Sequence, residues 1–183
     1  MSDLALFRRR LLQNPRQVSA IAPSSRFLAR AMAKGLGPDT GRVVEFGPGT
    51  GSLTRAILGA GVPPENLTLF ELDPHFADHL RAAFPGTTLH LTGADTAADH
   101  VAAGVGAVVS GLPLLSMPDA VCHAIVSAAF TILAPGAPFI QFTYGPKPPV
   151  PADTIASLGL SVETGAKVWA NLPPARVYRF RQI

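Results

Sequence analysis

Three glycines at alternate positions follow an acidic residue in the segment 43–54, whose sequence is VVEFGPGTGSLT. Because glycine has no Cβ, Gly47, Gly49 and Gly51 allow the backbone to approach another group very closely. The dinucleotide-binding fingerprint G-x-G-x-x-G is excluded, because in either register its third glycine would fall on a serine or a threonine. The segment therefore predicts either a tight strand-to-helix turn or a ligand site of another kind, with Glu45 beside it.

Polar residues that suit a nucleoside follow three further predicted strands. Glu71 ends the second strand in LFELD, twenty residues after Gly51, and its carboxylate can accept hydrogen bonds from both hydroxyls of a ribose. Asp95 follows the third strand in GAD and can accept from the exocyclic amine of adenine, although it can equally cap a helix. Ser110 opens SGLPL after the fourth strand.

Strands and helices alternate along the chain, which predicts a mostly parallel, doubly wound α/β sheet with helices on both faces. Such sheets bind ligands beyond the carboxyl ends of their strands, where these polar residues would meet. The predicted strands are 43–46, 67–71, 88–92, 107–111, 139–144, 161–169 and 175–181. The predicted helices are 52–58, 74–84, 96–103, 119–133 and one that Ser24 or Ser25 caps and that runs to residue 34.

Composition predicts one folded domain, 1–183, in a reducing compartment. Hydrophobic residues make up 48% of the 183 positions, and Cys122 is the single cysteine, which leaves no internal disulfide. With scattered histidines and no second cysteine, no metal site is expected. The run 120–146 has no charged residue, but APGAP divides it and leaves about 15 helical residues, fewer than the about 20 that a membrane span needs.

The basic character of the chain is concentrated at its N-terminus. Residues 1–34 contain seven Lys or Arg against Asp3, a balance of +6, whereas the rest has eight against eleven Asp or Glu, a balance of −3. This asymmetry predicts an anionic surface as partner, either membrane or nucleic acid. FRRRLL is followed by the polar QNPRQ, not by the apolar region of a signal peptide, so no such signal is expected.

The first residues predict a basic amphipathic helix. Leu4, Phe7 and Leu11 share one stripe of a helical wheel, and Arg9 and Arg10 lie across from it. Arg8 falls near the apolar stripe, where its stem can lie along the apolar surface while its charge reaches water. Such a helix can lie in the interface of an anionic leaflet, and the alternative is a helix packed on the domain.

The motifs VVEFGPGTGSLT, FELDP, GAD and SGLPL resemble, in order and spacing, those of the class I S-adenosylmethionine (SAM)-dependent methyltransferases over residues 42–144. The resemblance implies SAM as cofactor, with S-adenosylhomocysteine as product. It also implies that Glu45 and the three glycines approach the methionine part, that Glu71 holds the ribose, and that Asp95 holds the adenine amine. Ser110 would join the same site.

Two branches of that superfamily share the form E-x-G-P-G-x-G-x-L-T. The rRNA adenine dimethyltransferases have Asn-Leu-Pro-aromatic where this chain has SGLPL, which argues against a nucleic-acid substrate. The bacterial phospholipid N-methyltransferases resemble the whole chain, including LFRRRLLQNPRQVSAIAPSSRFLARAMA and VWANLPPARVYRF. This resemblance implies stepwise methylation of phosphatidylethanolamine toward phosphatidylcholine.

A lipid substrate needs contacts for its amine and its phosphate. Tyr144 is the predicted catalytic and substrate-binding residue, as a proton acceptor through water or as a ring that holds the methylated cation. His75 is the second candidate base. Ser24, Ser25 and Arg26 are the predicted phosphate site, since hydroxyls, a charge and a helix N-terminus coincide there, although a plain helix cap explains the serines equally well.

The expected protein is thus a single SAM-dependent methyltransferase domain, with a basic membrane-binding segment at 1–34 and a Rossmann-like core at 35–183. It would act peripherally on the inner face of the cell membrane. The alternatives left open are an rRNA adenine methyltransferase and a peripheral membrane protein that keeps the SAM-binding fold only as a scaffold.

Overall fold

The computed structural model describes residues 25–183, which build one seven-stranded sheet with helices on both faces. The strands are β1 Val43–Phe46, β2 Leu67–Glu71, β3 Thr88–Leu91, β4 Ala107–Ser110, β5 Phe139–Thr143, β6 Leu160–Val168 and β7 Ala175–Gln182. The helices are α1 Arg26–Ala33, α2 Ser52–Gly59, α3 Pro74–Ala83, α4 Ala97–His100, α5 Asp119–Ile132 and α6 Ala152–Ser157.

The strand order is β3-β2-β1-β4-β5-β7-β6, and β1 to β5 are parallel. Strand β7 is antiparallel to both of its neighbours, β5 and β6, and its Arg176 lies opposite Thr143 of β5. The connection from β6 to β7 therefore lies at the carboxyl edge of the parallel strands. The chain leaves β1 toward β3 and then returns to β4 on the other side of β1. This reversal between β1 and β4 is the position where open α/β sheets bind ligands.

The two faces of the sheet bury separate apolar clusters, as expected when alternate residues of a strand point to opposite sides. One cluster contains Val44 and Phe46 and packs under α5, whereas the other contains Val43 and Leu69 and packs under α1, α2 and α3. This confirms the predicted doubly wound α/β fold. Cys122 is buried in the first cluster, where its thiol donates to the Leu114 carbonyl at 3.1 Å.

Helix α1 begins where predicted, because Ser25 caps it by accepting a hydrogen bond from the Leu28 amide at 3.3 Å. Its apolar side, which includes Leu28 and Met32, is fully buried against the sheet. Residues 26–33, which the sequence assigns to the membrane-binding segment, are therefore packed into the core on one side. The predicted membrane contacts Leu4, Phe7, Arg8, Arg9, Arg10 and Leu11 lie outside the described residues, as does Ser24.

The remaining differences from the predicted elements are local. Helix α4 ends at His100 and not at residue 103, because Val101 adopts extended backbone angles. Helix α6 was not predicted from its proline-flanked sequence. The uncharged run 120–146 forms the buried parts of α5 and β5, as predicted. Among residues 25–183, none of the helices is both long and apolar enough to cross a bilayer.

Candidate active site

The turns after β1 and β4 touch one another at the reversal point of the sheet. The Gly111 amide donates to the Phe46 carbonyl at 2.8 Å, and a Cβ at Gly111 would lie 2.9 Å from the Gly47 carbonyl oxygen. SGLPL therefore packs directly on the glycine turn. Ser110 itself is fully buried and accepts a hydrogen bond from the Leu112 amide at 3.3 Å, so its observed contact shapes this loop.

The three glycines of the turn all have positive φ, between 53° and 77°, which favours glycine at each position. Two of them also have a packing reason. A Cβ at Gly47 would lie 2.5 Å from Leu112 Cδ2, and one at Gly51 would lie 2.3 Å from the Phe84 ring. At Gly49 a Cβ would meet no atom within 4 Å, so this glycine faces open space and is the one whose close approach to a ligand is unobstructed.

Glu45 lies in the middle of β1 and is completely buried. Its Oε2 accepts a hydrogen bond of 2.7 Å from the Thr54 hydroxyl in α2, whereas its Oε1 has no hydrogen-bond partner among the described residues. Burial is the main reason that the pKa of Glu45 rises to about 8; the Thr54 hydrogen bond lowers it in part, and the charge of Glu71 raises it. As long as no cation is bound nearby, the Glu45 carboxyl group is therefore mostly protonated at neutral pH.

Glu71 ends β2 and connects its carboxyl edge to the glycine turn. Its Oε1 accepts from the amides of Leu72 and Asp73 at 2.8 and 2.9 Å, and its Oε2 accepts from the Gly49 amide at 3.0 Å. Burial raises the pKa of Glu71, and these three backbone hydrogen bonds oppose that rise. The residue predicted to hold a ribose thus also fixes the turn predicted to approach methionine.

Asp95 lies at the same edge, in the short 3-10 turn Ala94–Thr96 after β3, and is half-buried. Ala94 of this turn is buried in the same cluster as Phe46 and Leu114, so the turn packs toward the strands at the reversal point. His75, the second candidate base, is exposed in the first turn of α3, where its amide donates to the Asp73 carboxylate at 2.8 Å.

Tyr144 directly follows β5 at the carboxyl edge and is half-buried. Its ring packs edge-on against Phe142 with centroids 5.4 Å apart, and its hydroxyl shares a hydrogen bond with Asn171. Burial raises the pKa of the Tyr144 phenol, with the Asn171 hydrogen bond opposing the rise. The phenol is therefore neutral near pH 7, which suits a hydrogen-bonding or cation–π role better than that of a strong base.

Asn171 joins Tyr144 to the start of α1. Its Oδ1 accepts from the Ser25 amide at 3.2 Å, its Nδ2 donates to the Pro173 carbonyl at 2.7 Å, and the side chain is buried. Ser25 is thus placed at the edge of the site next to Tyr144. Arg26 follows it and is exposed, with its guanidinium 5.0 Å from the centre of the Phe27 ring.

Three residues of the site were missed in the sequence. The only signal for Thr54 and Asn171 is their position in two short motifs, as the last residue of GSLT and as the polar residue of ANLPP. Gln141 interrupts the apolar strand FIQFT, and its Nε2 donates to the Leu112 carbonyl at 2.8 Å, which supports SGLPL from below. Within the part of the chain that the structure describes, no group of three or more His, Cys, Asp or Glu side chains is arranged to hold a metal ion.

These residues fit SAM on an observation independent of any motif. The completely buried carboxyl group of Glu45, whose Oε1 has no donor, is costly to keep, and a positive charge bound nearby would offset part of that cost. In their ionised forms, Glu45 and Glu71 would both attract a cation to this edge of the sheet. The roles of the individual residues toward SAM stay predictions.

The chain is similar to known methyltransferases over most of its length, although no protein-family model matches it. It is 30% identical over 156 residues to the ornithine lipid N-methyltransferase of Singulisphaera acidiphila, which covers 80% of each chain. Among solved structures, the magnesium protoporphyrin IX methyltransferase of Synechocystis PCC 6803 with bound SAM superposes with a TM-score of 0.68 at 12% identity, over 100% of this chain and 98% of that one. A glycopeptide N-methyltransferase in complex with SAM has a TM-score of 0.67 at 16% identity, over 89% and 96% of the chains.

Proposed function

The chain belongs to the class I SAM-dependent methyltransferases, in the family of its N-methyltransferase relative, and we propose that it methylates the amine of a membrane-lipid headgroup. SAM is its methyl donor. The observation that carries the proposal is the similarity to a lipid N-methyltransferase over 80% of both chains. The site supports it through the buried acidic edge at the reversal point of the sheet and Tyr144 beside it.

The cofactor contacts of this proposal are those of the carboxyl edge of β1 to β4. Glu45 and the backbone of Gly47, Gly49 and Gly51 would bind the methionine end, Glu71 the ribose and Asp95 the adenine. Ser110 would contribute through the loop that it shapes. When bound, SAM supplies a methyl group on a positively charged sulfur, and the two glutamates in their ionised forms would stabilise that charge.

Methyl transfer requires a neutral amine aligned with the sulfonium methyl group. Partial burial of the site favours the neutral form of the amine, because desolvation penalises the ammonium ion. Tyr144 would orient the amine by its hydroxyl and hold the methylated, permanently charged product against its ring. Positioning of this kind supplies several kcal/mol of a displacement barrier without a strong base.

Two headgroups are candidates, and each joins an amine to an anionic group. Phosphatidylethanolamine is favoured by the resemblance of both ends of the chain to phospholipid N-methyltransferases, with phosphatidylcholine as the final product. Ornithine lipid is favoured by the name of the relative. In either case the hydroxyls of Ser24 and Ser25 and the charge of Arg26 would bind the anionic group.

Such a substrate places the protein at the inner face of the cell membrane as a peripheral protein. The basic N-terminal segment supports this location, since arginines are attracted to an anionic leaflet and Leu4, Phe7 and Leu11 can enter its interface. A nucleic-acid substrate is not favoured, because SGLPL has neither the asparagine nor the aromatic residue that would hold a target base.

Incubation of the full chain with radiolabelled SAM tests the proposal. Vesicles with phosphatidylethanolamine, vesicles with ornithine lipid and undermodified rRNA are offered separately, and phosphatidylcholine vesicles serve as the control without a methylatable amine. We expect label in the lipid of one or both amine-bearing vesicles. Tyr144→Phe should keep part of the activity and Tyr144→Ala should lose it, because the ring holds the cation.

Label in the rRNA alone would replace the lipid with a nucleic-acid substrate. SAM binding measured by calorimetry without any methylated product, together with normal vesicle binding, would leave a membrane protein that keeps the fold as a scaffold. Either result contradicts the proposed function.

A further inference from the structure

Four segments meet around the mouth of the candidate site and form a surface that we call the rim: residues 25–27, 111–118, 144–151 and 167–176. Contacts connect them, since the Ser25 amide donates to Asn171 and Asn171 bonds to Tyr144. A Cβ added at Gly145 would lie 3.5 Å from Leu115 Cδ1. All four segments lie at the carboxyl edge of the sheet, after β4, after β5, between β6 and β7, and at the start of α1.

The rim exposes large apolar side chains. Leu172 is 88% exposed, Trp169 72%, Leu115 59% and Phe27 42%. Exposed apolar residues that cluster on one edge, in contrast to single ones scattered over a surface, are typical of an interaction site. The patch lies at the same edge of the sheet as the candidate site, so a partner that covers the patch would also face the substrate.

The charges of the rim are of one sign. Its segments contain Arg26, Lys147, Lys167 and Arg176 and no Asp or Glu. Two of these cations lie over rim aromatics, with the Lys167 ammonium 3.9 Å from the Trp169 ring centre and the Arg26 guanidinium 5.0 Å from that of Phe27. An aromatic ring paired with a cation suits the boundary between acyl chains and anionic headgroups, where the ring is buried and the charge stays in water.

We propose that the rim docks the protein on an anionic lipid bilayer, with the mouth of the site facing the headgroups; this rests on the proposed function. The charge pattern favours a bilayer over a second copy of the chain. In a symmetric dimer the four cations of one rim would face the four cations of the other, with no acidic residue in either rim to pair with them. Inside the basic rim lie Glu45 and Glu71, whose ionised forms would attract the amine of a headgroup. A headgroup would thus enter with its amine inward while its anionic group remains at the rim.

Vesicle flotation of the full chain with phosphatidylethanolamine–phosphatidylglycerol vesicles tests the docking surface. We expect the double variant Trp169→Ala/Leu172→Ala to lower the partition coefficient about tenfold, because two inserted apolar groups are lost. The double variant Lys147→Glu/Lys167→Glu should lower the partition coefficient by about fivefold for each positive charge removed, a larger loss than that of the apolar variant. This loss should become smaller at high salt. Calorimetry should find SAM affinity unchanged in both variants, which verifies that they are folded.

The matched control is Val162→Ala/Ile183→Ala, which truncates two exposed apolar residues at the amino edge of the sheet and should leave flotation unchanged. Wild-type flotation by both rim variants overturns the proposal. The same holds if only Arg8→Glu/Arg9→Glu/Arg10→Glu abolishes flotation, because the N-terminus alone would then carry binding. A wild-type dimer that Trp169→Ala/Leu172→Ala converts to a monomer with normal flotation would make the rim a contact between copies, which also overturns it.

The outcome is separable from that of the proposed function. If the rim variants lose flotation but no lipid is methylated by the wild type, the docking surface stands and the substrate is wrong. If the rim variants methylate vesicle lipid as well as the wild type does, with unchanged flotation, the substrate stands and the docking surface is wrong.

Discussion

A carboxyl group that is completely buried, with one oxygen lacking a donor, is an expensive feature for a folded protein to keep. Glu45 is such a group, and its pKa of about 8 means that it avoids part of the cost by staying protonated. A bound cation would favour the ionised form and lower this pKa. We therefore expect SAM binding near pH 7 to release a proton, which calorimetry in buffers of different ionisation enthalpy can detect.

The pH dependence of stability follows from the same residue. Because the pKa of Glu45 is raised from an ordinary 4.5 to about 8, the folded protein binds a proton that the unfolded chain loses between these values. The free energy of unfolding of the cofactor-free protein should therefore fall as pH rises through this window. Glu45→Gln, which resembles the protonated form, should weaken this decline in urea unfolding measured from pH 5 to pH 9.

Glu65→Gln is the control, because Glu65 is exposed in the turn before β2, and it should keep the wild-type pH profile. If Glu45→Gln also keeps that profile, the Glu45 carboxyl group is ionised in the folded protein, and burial does not raise its pKa as expected.

At the scale of elements, the turn from β1 to α2 combines two kinds of glycine. Gly51 is required by packing, since a Cβ would enter the Phe84 ring of the segment after α3. Gly49 is required only by its φ of +53°, and the direction of its missing side chain is open. We therefore expect the fold and ligand binding to depend on different glycines of the same turn.

Alanine at each position should separate these roles. Gly51→Ala should lower the free energy of unfolding by about 2–4 kcal/mol, from the left-handed backbone and the overlap with Phe84 together. Gly49→Ala should cost about 1–2 kcal/mol from the backbone alone, but it should weaken SAM binding at least about tenfold by filling the open space. Urea unfolding and calorimetry measure the two effects. Equal losses of stability, or unchanged SAM affinity in Gly49→Ala, would contradict this division.

At the scale of the whole molecule, segments that are far apart in the sequence meet at one side chain. Asn171 hydrogen-bonds to Ser25, which is 146 positions away, to Tyr144 and to Pro173. The start of α1, the loop between β6 and β7, and the residue after β5 are thereby held in one arrangement at the mouth of the site.

Asn171→Ala should leave the Ser25 amide, the Tyr144 hydroxyl and the Pro173 carbonyl without their partner and lower the free energy of unfolding by about 1–3 kcal/mol. Amide hydrogen exchange should locate the effect, with protection lost in 26–33 before it is lost in 119–132. Asn66→Ala, in the surface turn before β2, is the matched control and should change neither. Equal loss of protection in α1 and α5 would show that Asn171 supports the whole fold and not this junction.

The sequence by itself determined the fold class, all seven strands and four of the six helices to within about one residue, and the motifs whose order led to SAM. These features depend on hydrophobic periodicity, caps and glycine turns, which act between neighbours along the chain. The prediction of Glu71 as a ribose ligand used spacing in the same way, but its hydrogen bond to Gly49 was not visible there.

Only the tertiary structure decided the strand order, the burial of Glu45, the contact between Gly51 and Phe84, and the junction at Asn171. Each of these joins residues brought together by packing, and no local preference encodes such a pair. The rim could not be predicted from the sequence for the same reason. Its apolar and basic residues are unremarkable in four separate stretches of sequence, and they become one surface only because parallel strands end at a common edge.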